Sequence, residues 1–100
     1  MLVSLCLNSL SYLDENNLLN SVPKYFKSIL LSSDEIVILG GYDYDISNSS
    51  KKVFFIINGR LVKGNPMNYP RQYSSLCIDR KNSFLYVVGG YNKDEGLIPY

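Results

Sequence analysis

The sequence predicts an all-β protein assembled from a repeated unit of short antiparallel strands. Three observations carry this. First, Pro23-Lys24-Tyr25-Phe26-Lys27-Ser28-Ile29-Leu30-Leu31 recurs 47 residues later as Pro70-Arg71-Gln72-Tyr73-Ser74-Ser75-Leu76-Cys77-Ile78: Pro, cation, any residue, aromatic, any residue, Ser, then three apolar residues. Second, each copy runs through a polar linker into an apolar stretch closed by two glycines and a tyrosine. These stretches are Ile36-Val37-Ile38-Leu39-Gly40-Gly41-Tyr42 and Leu85-Tyr86-Val87-Val88-Gly89-Gly90-Tyr91, offset by 49 because the second linker is read as two residues longer. Third, Asn58-Gly59 between two β-rich runs marks a hairpin, since a type I′ turn needs positive φ at both central residues.

In chain order, Ile36–Leu39 and Leu85–Val88 are continuously apolar and bounded by turn residues, as expected of strands buried on both faces. Gly-Gly permits positive φ or close backbone approach where each strand leaves its sheet. Val53-Phe54-Phe55-Ile56-Ile57 is a third strand and Leu61-Val62-Lys63 a fourth. Gly64 to Pro70 forms a turn-rich connector into the second copy. Four short strands in one repeat period is the size of one propeller blade, and a blade must stack on neighbours to bury its two apolar faces. The expected organisation is therefore 1–20 as the tail of a preceding blade or a linker, 21–69 as a complete blade, and 70–100 as a partial one. The second copy is expected to stop after Gly90-Tyr91 with no third or fourth strand.

Composition narrows the chemistry. Ten Lys and Arg against nine Asp and Glu give a net charge of +1, so neither nucleic acid nor a membrane surface is an expected partner. The absence of His removes the commonest general base and metal ligand. Cys6 and Cys77 cannot build a disulfide framework, and Cys77 in its apolar run reads as a small buried hydrophobe in a reduced, cytoplasmic setting. Residues 1–13 are apolar but lack a basic leading region and a small-residue cleavage site, and are too short to span a bilayer.

The two copies resemble the kelch repeat. Pro70-Arg71 through Leu85-Tyr86-Val87-Val88-Gly89-Gly90-Tyr91-Asn92 is similar to the family unit, and Pro23-Lys24 through Gly40-Gly41-Tyr42-Asp43 follows it more loosely. Pro23, Lys24, Gly40, Gly41, Pro70, Arg71, Gly89, Gly90 and Tyr91 are the motif positions. The blade Trp is replaced by Leu61 or Val62, and Phe54 or Phe55 stands for the third-strand Tyr. Residues 12–18 echo the end of an earlier blade. The Asn/Tyr/Lys/Ile-rich texture resembles poxvirus kelch-like proteins, in which BTB and BACK domains precede the blades. The resemblance implies about two blades of an incomplete propeller and a non-catalytic protein-interaction module without cofactor, acting between virus and host in the host cytoplasm. The alternative it implies is a non-functional remnant of a longer BTB–kelch ubiquitin-ligase adaptor gene.

The loop Tyr42-Asp43-Tyr44-Asp45 and onward to Ser50 is the first candidate contact surface, because exposed Tyr gives large contact area at low entropic cost. Against this stands a solvated connector with Tyr42 packed on its blade. Tyr73 would stand near a propeller mouth, or else pack between blades. Arg71 is a candidate for an acidic partner, or else caps loop carbonyls. Asp43 and Asp45 share a face, but two loop carboxylates read as surface rather than as an acid pair, and no enzyme is expected.

Overall fold

The computed structural model describes residues 18–100. The apolar N-terminus, Cys6 and nearly all of the expected 1–20 segment lie outside the described residues. A 3₁₀ turn at Leu18–Ser21 leads into ten strands: β1 Lys27–Ser32, β2 Glu35–Leu39, β3 Tyr42–Asp43, β4 Asn48–Ser49, β5 Val53–Ile57, β6 Arg60–Lys63, β7 Ser75–Asp79, β8 Phe84–Val88, β9 Tyr91–Asn92 and β10 Gly96–Leu97. The fold is all-β, and every strand pairing is antiparallel. Among the described residues no helix is long and apolar enough to cross a membrane.

The first repeat is a four-stranded sheet in the order β1-β2-β5-β6, with the β3–β4 hairpin projecting between β2 and β5. Its centre is β2, where Val37, Ile38 and Leu39 are buried on both faces. Asn58 (φ 50°) and Gly59 (φ 76°) make the β5–β6 turn with both residues left-handed, as the sequence predicts. On one face Ile38, Phe54, Ile56 and Leu61 form a cluster against Leu18, Leu19, Val22 and Phe26. On the other, Val37, Leu39 and Val53 pack with Ile29, Leu31, Phe55 and Met67, and meet Leu76, Leu85 and Val87 of the second repeat. The two repeats therefore stack face to face, each covering apolar area the other cannot bury alone.

The structure shifts the internal alignment by one residue. Lys24 bridges Tyr42 and Gln72 bridges Tyr91, so Lys24 corresponds to Gln72, an offset of 48 rather than 47. Tyr25 (φ 57°) and Tyr73 (φ 60°) share the same left-handed conformation, which confirms the pairing. Arg71 then occupies the place of Pro23, not of Lys24. Three consecutive apolar residues in each copy cannot reveal a one-residue slip, yet such a slip exchanges the faces of every side chain.

The uncovered outer face of the second repeat explains a second correction: Cys77 corresponds to Ile29, which packs in the layer that the second repeat covers, but nothing among the described residues covers that face of the second repeat. Cys77 is exposed, not buried: it pairs with Tyr86 on the outer face of the β7–β8 hairpin. β8 is likewise half-buried rather than covered on both sides. Leu85 and Val87 face the first repeat, while Phe84, Tyr86 and Val88 face outward, and β8 has one strand neighbour where β2 has two. The chain also continues its repeat past Tyr91 into β9 and β10. These match β3 and β4, since Ser50 N–H donates to Gly41 O at 2.8 Å and Ile98 N–H to Gly90 O at 2.9 Å. Two-residue strands carry no periodic pattern, which is why the sequence did not announce them.

Candidate protein-contact surface

The surface is built from the point where β2 ends. Gly40 (φ 67°) and Gly41 (φ 96°) turn the chain in a left-handed conformation that other residues adopt rarely and at a cost. A Cβ on Gly40 would sit 2.6 Å from Arg71 O, so the glycine is also demanded by the approach of the second repeat. Tyr42 is then clamped to Lys24 by two backbone hydrogen bonds, of 2.9 and 2.7 Å.

The predicted loop is a β-hairpin with an internal scaffold. Asp43 is buried; its Oδ1 accepts from Asp45 N–H at 2.9 Å and its Oδ2 lies 3.3 Å from Lys52 Nζ. Lys52 Nζ also donates to Ser21 O at 3.3 Å, tying the hairpin to the 3₁₀ turn. Asp43 is thus a turn-former and ion-pair partner, while Asp45 contributes its backbone and stays exposed. The two carboxylates have different surroundings, Asp43 buried and ion-paired and Asp45 exposed. Among the described residues no three potential metal ligands converge.

Above this scaffold stand the rings. Tyr42 and Tyr44 meet edge to face, centroids 4.9 Å apart at 73°. A hydrogen bond with the Tyr25 side chain holds the Tyr44 phenol above its ordinary range, with the neighbouring phenolate charge adding to it. Tyr25, Tyr42 and Tyr44 therefore form one aromatic group beside a hollow of about 170 Å³ lined by Lys24, Asp43, Asp45 and Lys52. Tyr25 is 68% exposed. It was absent from the sequence-derived candidates, although the Tyr at the corresponding position of the second copy was among them; the slipped alignment matched Tyr73 to Phe26 instead.

Tyr73 is 69% exposed and stands at the same place in the second repeat. Arg71 is placed differently. Its guanidinium is buried, and Nη1 donates to Gly89 O at 2.9 Å and Tyr100 O at 2.5 Å. Its backbone accepts from Gly41 N–H at 2.9 Å and donates to Ser50 O at 3.0 Å. Arg71 joins the repeats from within and does not reach the surface as a recognition side chain.

The two hairpins are locked together. Ser49 Oγ donates to Tyr91 O at 2.9 Å, Lys93 Nζ to Ser47 O at 3.2 Å, and Asn48 Nδ2 to Asp94 Oδ2 at 3.4 Å. Asn92 takes the place of Asp43: its Oδ1 accepts from the backbones of Asp94 and Glu95, and its Nδ2 donates to Pro70 O at 3.0 Å. The tyrosines thus stand on a braced platform. No family model matches the chain, and no match was found among the curated proteins or among the solved structures.

Proposed function

We propose that the chain is a kelch-like, non-catalytic protein-interaction module that engages a protein partner through Tyr25, Tyr44 and Tyr73. The observation that carries this reading is the backbone of Tyr25 and Tyr73. A bulky residue in the left-handed region costs about 1–2 kcal/mol, and here burial of the ring does not repay it, because both rings are more than two-thirds exposed. Strain retained at the same place in two repeats, under an exposed aromatic ring, fits selection for contact rather than for folding. The kelch-like repeat supports the reading, since loops at one end of such blades form the binding face. The host cytoplasm of a virus-infected cell is the setting it takes.

The test is capture of binding proteins from expressing cells by the 100-residue chain and by a Tyr25→Ala/Tyr44→Ala/Tyr73→Ala variant, compared quantitatively. A specific partner lost from the variant, with its circular dichroism unchanged, supports the reading. An identical captured set from both proteins refutes it.

A further inference from the structure

We propose that the partner engaged at Tyr25 and Tyr44 is an uncharged, proline-rich segment bound in the extended polyproline II conformation. This rests on the reading of these tyrosines as a contact surface and names the chemistry that the surface accepts. The site lies within the first repeat, whose β3–β4 hairpin is complete, and Tyr25 stays 68% exposed with the second repeat stacked on that sheet.

The recurring ways of binding a peptide differ in what they ask of the receptor, and the site meets the demands of one. Strand addition needs an open backbone edge. Here β3 is flanked on both sides, by β4 and by Lys24, whose N–H donates to Tyr42 O and whose O accepts from Tyr42 N–H. Capture of a chain terminus needs a nest of open N–H groups. The N–H of Asp45 is held by Asp43 Oδ1, that of Ser49 by Asn48 Oδ1 and that of Ser50 by Gly41 O. Recognition of a phosphorylated or acidic segment needs clustered free cations. Lys52 is paired with Asp43 and with Ser21 O, which leaves Lys24 as the single uncommitted ammonium lining the hollow. The same ion pair consumes Asp43, so a basic segment would find Asp45 alone. A helix inserts a row of anchors into a long apolar groove, and the hollow beside the rings holds only about 170 Å³.

What remains is what a polyproline II segment uses. Such a segment has no internal hydrogen bonds, so its carbonyls stand outward as acceptors, and its backbone is already stiff before it binds. Tyr25 and Tyr44 offer exposed ring surface for pyrrolidine rings. Their hydroxyls are bonded to one another, so one of the two keeps its proton free to donate to a partner carbonyl. A ligand that pays little ordering entropy suits a site built from a few exposed rings rather than from a deep pocket.

The experiment is fluorescence anisotropy on the 100-residue chain with labelled short peptides from a randomised Pro-x-x-Pro library, each paired with a counterpart whose prolines are alanine. The expected result is a set of uncharged proline-rich binders whose dissociation constants rise at least about tenfold in the alanine counterparts. They should rise by a similar factor in Tyr25→Ala/Tyr44→Ala, with its circular dichroism unchanged, and stay the same in Arg60→Glu. No binder in the library, binding indifferent to the prolines, or binding indifferent to both tyrosines would each overturn the proposal. A second readout separates it from the broader reading. Where the 100-residue chain captures a protein that the Tyr25→Ala/Tyr44→Ala/Tyr73→Ala variant loses, limited proteolysis of the complex identifies the protected segment. A protected segment without prolines overturns the proline-rich assignment and leaves the tyrosine surface standing, whereas a proline-rich one supports both.

Discussion

At the scale of single residues, Tyr25 and Tyr73 separate stability from function. Asn enters the left-handed region several times more readily than an aromatic residue does. Replacing both tyrosines by Asn should therefore raise stability, by about 0.5–1 kcal/mol per site, because little ring burial is lost in exchange. The same substitutions should weaken partner capture. Urea unfolding and capture measured together check this; a loss of stability would mean that the rings serve packing. Tyr100 gives a second prediction. Its hydroxyl donates to Glu95 Oε2 at 2.7 Å, and that bond, with some desolvation and the carboxylate charge, pushes the phenol up to about 12. A folded pKa above the unfolded value of about 10 means that the contribution is fully present below pH 10 and is lost as the pH rises from there to about 12. Ultraviolet titration of the phenols should show a component titrating near pH 12 that is lost in Glu95→Ala, while the raised Tyr44, which owes nothing to Glu95, stays in place. If that variant leaves the component near pH 12 in place, Glu95 is not its cause.

At the scale of elements, what could be read from the sequence divides by length and by register. β2, β5 and the Asn58–Gly59 turn were legible because five-residue apolar runs and a two-residue turn with demanding dihedrals each leave a local imprint. The β3–β4 and β9–β10 hairpins were not, because two residues show no period and their bracing runs through side chains such as Asp43 and Asn92. Arg71 was legible as a motif position, but its inward course depends on the carbonyls of Gly89 and Tyr100, which only the folded chain brings to it. Tyr25 was within reach and hidden by the one-residue slip. The core elements also carry the energy. Phe54 in β5 is fully buried and packs with Ile38, Ile56 and Leu61, so Phe54→Ala should cost about 3–5 kcal/mol. Val62 on β6, exposed and opposite Phe55 on the other face of the sheet, should cost under about 0.5 kcal/mol as Val62→Ala. Comparable losses from the two would contradict the assignment of faces.

At the scale of the whole molecule, the decisive structure is the junction between repeats. Its apolar layer joins Val37, Leu39 and Val53 to Leu76, Leu85 and Val87, and its polar seam runs through the Arg71 backbone, bonded to Gly41 N–H and Ser50 O, and through Ser49 Oγ to Tyr91 O. At the far end Arg80 donates to the carbonyls of Leu31 at 2.7 Å and Leu30 at 3.1 Å. The repeats do not contribute equally. The first has a four-stranded sheet with apolar clusters on both faces, while β7–β8 has two strands and one covered face. In a stacked array each unit's stability is its own plus that of its interface, so the second repeat depends on the junction more than the first does. Val87→Asp, which sets an unpaired charge in the apolar layer, should therefore act unevenly. Hydrogen exchange should show the β7–β8 amides losing protection while β2 and β5 remain slow. Equal loss across both repeats would mean that the two fold as one indivisible unit and that the asymmetry of their sheets has no energetic counterpart.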